Sequence, residues 1–256
     1  MDKSKDSRAV LVTGGSQRLG KAISLAFAQH GWNVALHYRN SEAEASETAS
    51  EITGLGRRCV MVQGDLSSAE DRERLFTKAV DQLGQLDAIV NNASLFEYDS
   101  AAEFSETILL QHLGPNLVAP VDLAQRLAQH VATRADTQGV VVNMLDQKLW
   151  SYNPDFFSYT LCKAALQAAT TMLAQGLAPA VRVVGVAPGL TLPSHMQSQA
   201  DFRRTHAMAP LGKSSTPEDI ADTVVFAAQN RSITGTTIVV DSGQHLMGLQ
   251  RDFSLL

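Results

Sequence analysis

The sequence predicts an α/β domain in which a parallel sheet of about seven strands is covered by helices on both faces. Three observations carry this. Short apolar runs alternate with longer helical patterns from Ala9 to Val240. The runs are continuous rather than alternating with polar residues, as strands buried on both faces require. Glycine, asparagine or acidic turns follow several runs, where an open parallel sheet binds its ligands.

Taken in order, Ala9–Val12 is a β-branched apolar run, followed by the turn Thr13-Gly-Gly-Ser-Gln-Arg-Leu-Gly20 and an amphipathic segment to His30. Asn33–Tyr38 is the second strand, and the Ala- and Glu-rich stretch Ser41–Leu55 is a helix stopped by Gly54 or Gly56. Cys59–Gln63 is the third strand; Gly64-Asp65-Leu66-Ser67 turns from it into a helix ending near Gly84. Leu86–Val90 is the fourth, closed by Asn91-Asn-Ala-Ser94, with helices over about 103–112 and 116–131 after it. Val140–Leu145 is the fifth strand, and a long helix over about 155–178 follows Pro154. Val181–Ala187 is broken by Pro188-Gly189, Pro217-Glu-Asp opens a helix to about Asn230, and Thr236–Val240 closes the sheet. Residues 190–215 show no period and carry Pro193, Pro210 and Gly212. Such a stretch is either a binding loop or a surface connection. One domain spans 1–256, with a cofactor half over about 8–140 and a catalytic and substrate half over about 140–256.

Composition narrows the function classes. The chain is 45% hydrophobic and 18% charged, with a net charge of −5. That balance suits a globular protein and argues against a nucleic-acid binder, which shows a basic face. Cys59 and Cys162 give neither a disulfide framework nor a metal-ligand spacing. The start, Met-Asp-Lys-Ser-Lys-Asp-Ser-Arg, is polar and lacks the apolar core of a leader. No run approaches the ~20 apolar residues of a membrane span. A cytoplasmic protein that binds neither membrane nor nucleic acid is expected.

The strand ends suggest a nucleotide. Gly14, Gly15 and Gly20 allow close approach of a phosphate to a helix N-terminus, or simply make a tight βα turn. The second strand ends His37-Tyr-Arg-Asn-Ser41. A site for the unphosphorylated ribose would place an acid there. Arg39 instead suits a 2′-phosphate, aided by Ser41 and by Arg18 in the glycine turn, so NADP(H) is favoured over NAD(H). The alternative for Arg39 is a solvated loop arginine. Asp65 either accepts from an adenine amine or caps the helix after it.

Asp146 ends the fifth strand, and Tyr159 and Lys163 stand i, i+4 on the next helix, sharing one face. A free tyrosine, with a pKa of ~10, exchanges protons poorly at neutral pH, and a nearby ammonium is expected to lower that value. An ionised Asp146 can only accept hydrogen bonds, so beside a ketone oxygen gaining charge it would repel. Beside a ring N–H or an imine nitrogen it would help. Phe96 and Trp150 offer flat stacking surfaces. The plainer reading of Asp146 is a loop carboxylate that caps a helix or pairs with Lys148. Cys162 reads as packing, and His195 and His206 receive no role.

Over nearly the whole chain these residues resemble the short-chain dehydrogenase/reductase family: Thr13-Gly14 with Gly20, Asp65, Asn91-Asn92-Ala93, Asn116, Tyr159 with Lys163, and Pro188-Gly189, in the family's order and spacing. The resemblance implies a Rossmann-like sheet, a bound nicotinamide cofactor and a homotetramer or dimer. Arg18, Ser94 and Asp146 depart from the common pattern, Asp146 standing where the family has a catalytic serine. All three, with Phe96 and the His-Tyr-Arg-x-Ser turn, resemble the pteridine and dihydromonapterin reductases.

The implied cofactor site is Gly14, Ser16, Arg18, Leu19, Gly20, Tyr38, Arg39, Asn40, Ser41, Asp65, Leu66, Asn92, Ala93, Ser94, Tyr159, Lys163, Pro188 and Gly189. The implied substrate site is Arg18, Ser94, Phe96, Asp146, Trp150, Tyr159 and Leu190. Lys163 would bind the nicotinamide ribose, Asn116 would hold a relay water, and Phe96 would sandwich a pterin. The expected activity is NADPH-dependent reduction of a dihydropterin C=N bond. The alternatives are a ketoreductase on another small polar carbonyl and an NADP-binding protein without turnover. Phe253-Ser-Leu-Leu256 either packs on a neighbouring subunit or is disordered.

Overall fold

The computed structural model describes residues 8–135, 137–194 and 196–256. The polar start up to Ser7, and His195, lie outside them. The described residues form one sheet of seven strands, β1 Ala9–Val12, β2 Asn33–Tyr38, β3 Cys59–Gln63, β4 Ala88–Asn91, β5 Gly139–Met144, β6 Val181–Pro188 and β7 Thr237–Val240, in the order β3-β2-β1-β4-β5-β6-β7. Every neighbouring pair is parallel. The helices are α1 Arg18–Gln29, α2 Glu42–Gly54, α3 Ala69–Leu83, α4 Glu106–Leu113, α5 Ala119–Ala132, α6 Phe157–Gly176, α7 Gln199–His206 and α8 Pro217–Gln229. None among the described residues is long and apolar enough to cross a membrane.

Alternation along each strand splits the core into two layers. Val10 and Val12 of β1 face the layer that contains Phe27, Ile220 and Val224, from α1 and α8. Ala9 and Leu11 face the opposite layer, which holds Leu75, Leu123 and Leu127, from α3 and α5. The chain order reverses between β1 and β4, which makes their carboxyl ends the switch point of the sheet.

The expected elements are present within a residue or two at most ends, with two differences. Residues 190–215 contain α7. Its start is fixed by Ser198, whose hydroxyl accepts from Asp201 N at 3.1 Å. Its only fully buried residue is Thr205, so the apolar stripe that marks a helix in sequence is missing. Between α4 and α5, Gly114–Val118 forms a π-helical turn that carries Asn116. A wide turn of this kind re-aims side chains and often marks a functional site.

Candidate active site

The glycine turn after β1 is built by contacts too close for any other residue. A β-carbon on Gly20 would lie 1.9 Å from the carbonyl oxygen of Gly14, and Gly14 itself has a φ of +60°. The Gly14 N–H donates to His37 Nδ1 at 3.0 Å. A backbone N–H can only donate, so His37 carries its proton on Nε2 and donates to Gly64 O at 3.1 Å. Burial keeps this imidazole neutral, its pKa lowered. His37 therefore ties the ends of β1, β2 and β3 together, a role that the sequence did not disclose.

A cleft of about 1300 Å³ runs along these ends. Its walls include Gly14, Ser16, Arg18, Leu19, Gly20, Tyr38, Arg39, Asn40, Ser41, Asp65, Leu66, Asn92, Ala93 and Ser94, all predicted cofactor residues. The first turn of α1 has no acidic residue and no side-chain cap, which leaves N–H groups for an anion. Ser16 and Ser41 hydroxyls lie 2.7 Å apart. The Arg39 guanidinium has no hydrogen-bond partner among the described residues; only its carbonyl is engaged, by Gln63 at 3.1 Å. This donor set, with two arginines and no opposing acid at the end of β2, fits a phosphorylated dinucleotide. Asp65 does not cap α3, whose N-cap is Ser68; it accepts from Ser67 N at 2.8 Å within its own turn and lines the cleft. Arg18, at a φ of +52°, donates to Pro193 O at 2.7 Å and so ties the turn to the 190–215 segment.

The predicted catalytic residues lie outside those walls. Tyr159, 7% exposed, donates from its hydroxyl to Asp146 Oδ2 at 2.9 Å. Asp146 Oδ1 accepts from Lys148 N at 2.9 Å, capping a 3-10 turn, Gln147–Trp150. The plainer reading of Asp146 is thus half realised: it does cap, and it also holds the phenol. It does not pair with the Lys148 ammonium, which pairs with Asp252 at 3.2 Å. Lys163 Nζ donates to Met144 O at 2.6 Å and lies 5.6 Å from the Tyr159 ring centroid.

The expected lowering of the Tyr159 pKa does not occur. Burial, the Asp146 charge and the hydrogen bond to that carboxylate hold the phenol well above its ordinary value. Lys163 is itself pushed down to about 8, by burial. Burial and the nearby Asp252 charge raise the Asp146 carboxyl, against the Lys148 N–H and the phenol. Tyr159 is accordingly a protonated phenol facing a carboxyl group disposed to hold a proton.

The buried Lys163 has a consequence for stability. A drop from 10.5 to about 8 means that the unfolded lysine binds a proton which the folded one lacks between those pH values, so stability rises with pH across that window. Relative to Lys163→Met, wild-type stability should increase by about 2 kcal/mol between pH 7.5 and 9.5, read from urea unfolding at both pH values. An unchanged difference would mean that the ammonium is not desolvated.

Aromatic residues flank the phenol. Phe96 stacks on Phe156 with centroids 4.0 Å apart at 15°, and meets Tyr159 edge-on at 4.8 Å. Phe156 is fully buried in the left-handed region, at a φ of +49°, which costs about 1–3 kcal/mol and is sustained by its packing. Trp150 is exposed and has no ring partner among the described residues. Asn116 accepts from Leu95 N at 2.8 Å and Ser94 Oγ at 3.2 Å, and donates to Leu95 O at 2.9 Å. Its amide therefore fixes the loop that presents Phe96. Gly189 N donates to Val240 O at 3.0 Å, and Leu190 N to Gln244 Oε1 at 2.8 Å, while Pro188 ends β6. Ser158, at the start of α6, is held by Asp99, which accepts from its N–H at 2.9 Å. Phe156 and Asp99 were missed as neighbours of the site because their partners are distant in sequence or masked by an ordinary polar pattern. His206 ends α7 and tilts against Phe202 at 5.1 Å.

A family model described as enoyl-(acyl carrier protein) reductase matches residues 15–245. The chain belongs to the short-chain dehydrogenase/reductase family. It is an oxidoreductase of that family, with a Rossmann-like fold. This short-chain dehydrogenase/reductase is 34% identical to pteridine reductase 1 of Leishmania tarentolae, over 96% of its own length and 99% of that protein. It superposes on the crystal structure of FolM alternative dihydrofolate reductase 1 from Brucella suis in complex with NADP, with a TM-score of 0.89 and 42% identity, covering 95% of this chain and 96% of that one. The Brucella canis counterpart, also complexed with NADP, gives 0.87 and 41% over the same shares.

Proposed function

We propose that this short-chain reductase uses NADPH to reduce a C=N bond of a dihydropterin. The observation that carries the reading is the 2.9 Å bond between Tyr159 and Asp146. A carboxyl group paired with the phenol can offer a proton to a ring nitrogen and, once ionised, accept from ring N–H donors, which a ketone lacks. The Phe96 ring beside Tyr159 adds a flat apolar face for a bicyclic heterocycle. The named activities of the Leishmania and Brucella relatives support the same class.

NADPH supplies the hydride when bound. Arg39, Ser41 and Arg18 hold its 2′-phosphate and pyrophosphate end, with the first turn of α1. Lys163 holds the ribose side of the nicotinamide. Tyr159 and Asp146 act as one proton-donating pair: burial favours the protonated carboxyl group, which replaces the proton that the phenol passes toward the ring nitrogen. Asn116 keeps Phe96 in place through Leu95. A homotetramer in the cytoplasm is part of the proposal, and exposed Leu110, Leu161 and Met172 on α4 and α6 offer apolar surface for assembly.

The test follows NADPH absorbance at 340 nm with dihydropterins, dihydrofolate and a panel of small ketones. Turnover confined to the pterin-type substrates is expected. Oxidation of NADPH by ketones alone would replace the reading with a ketoreductase, and binding without turnover would leave an NADP-binding protein.

A further inference from the structure

Beside the catalytic turn lies a charged cluster that the proton-donating pair does not itself require. Lys148 is 2% exposed. Its ammonium donates to the carbonyl of Asp155 and pairs with Asp252 Oδ2 at 3.2 Å. Asp155, equally buried, accepts at Oδ2 from Arg251 Nε and from Asp252 N, both at 2.8 Å. Phe253 is buried against the same region, and its carbonyl accepts from Gln197 Nε2 at 2.7 Å. The start of this segment is therefore packed on its own chain rather than hanging free.

Burying two charges costs several kcal/mol per ion, and good geometry with full hydrogen bonding is needed to offset it. An apolar pair would pack the same space at lower cost. The cluster is full in that sense: the ammonium has a carbonyl, a carboxylate and the Phe156 ring at 5.6 Å. It is also directly joined to the site. The Lys148 backbone N–H donates to Asp146 Oδ1, so the lysine fixed at its far end fixes the carboxylate at its near end.

We propose that Lys148, Asp155 and Asp252 form a positioning clamp, through which the segment Arg251–Phe253 sets the aim of Asp146 and its electrostatic surroundings. This deepens the reading of Asp146 as half of the proton-donating pair and rests on it. The groups facing Asp146 are Lys148 on its own turn, Tyr159 and Lys163 on α6, and Asp252 on the returning segment. Asp252 is the carboxylate among them. Its negative charge opposes ionisation of Asp146, so removing it favours the ionised, non-donating form. Lys148 and Asp252 touch neither substrate nor cofactor in this scheme; they are positioning residues.

Asp252→Asn tests the clamp, since it keeps the size and the backbone bond to Asp155 and deletes only the charge. The carboxyl ¹³C resonance of Asp146 should titrate at a pH lower by about half a unit or more than in the wild type. The alkaline limb of kcat should move down with it, so that kcat at pH 8 falls about threefold or more. NADPH affinity should stay within about twofold, because the cofactor cleft lies elsewhere. Asp252→Glu should restore both. An unmoved Asp146 titration in a folded Asp252→Asn protein, or a limb that Glu fails to restore, overturns the proposal.

If Asp252→Asn does not fold, the double variant Lys148→Met/Asp252→Leu replaces the ion pair with apolar packing. Retained wild-type kcat and an unmoved titration would then overturn the clamp. The NMR titration needs no substrate. A clamp that holds in a protein inert toward dihydropterins would therefore sink the substrate assignment alone.

Discussion

Asp146→Ser should lower kcat for a dihydropterin by about 10²–10⁴-fold, the range for a positioned proton donor. Serine is the informative replacement. Its hydroxyl can still accept from Lys148 N, so the 3-10 turn keeps its cap while the carboxyl group is lost. The pH profile supplies a second reading. Burial raises the Asp146 carboxyl, and a donor works only in its protonated form. Wild-type activity should therefore fall as pH rises through that value, and the limb should vanish in the variant. NADPH affinity, measured by fluorescence titration, should change little. A serine variant with an undiminished rate would make Asp146 a structural cap and reopen carbonyl reduction.

Arg39→Asp should weaken NADPH binding by about 100-fold and NADH binding by much less. The guanidinium stands at the end of β2 on the cleft wall without a partner among the described residues, placed to form a charge-assisted pair. Such bonds contribute about 1.5–3 kcal/mol, and a carboxylate in its place adds repulsion. The effect should shrink at high salt, since the site is open to solvent. Calorimetric titration of both cofactors checks it; equal losses for the two would remove Arg39 from the 2′-phosphate site.

The features legible in the sequence are those set by local pattern. Continuous apolar runs gave the parallel strands, because burial on both faces leaves no alternation to see. Gly14 and Gly20 stood out because their backbone contacts forbid a side chain. Tyr159 and Lys163 were visible because four residues make one helical turn. The illegible features depend on residues far apart in the chain. The pKa of Tyr159 could not be foreseen from its spacing to Lys163: the phenol is bonded to Asp146, while the ammonium is bonded to Met144 O. Lys148 reads as a loop lysine until Asp252, 104 positions later, is seen beside it. Helix α7 was hidden because it buries almost nothing. Phe156 carried no signal of its left-handed backbone, which suits glycine or asparagine far better.

The parallel sheet also bears on how the molecule must be made. No two of its strands can close as a hairpin, since every neighbouring pair runs the same way. The central joint brings Val10 against Ala88, and only that joint sets Asn92 against the glycine turn, where its amide donates to Thr13 O at 2.9 Å. Pairings of such sequence separation are slow to find, because the chain between must be closed before any contact repays its ordering. A collapsed chain with every helix formed would still lack a cofactor cleft. The glycine turn thus comes early in the chain, while the walls around it depend on pairings of long sequence separation.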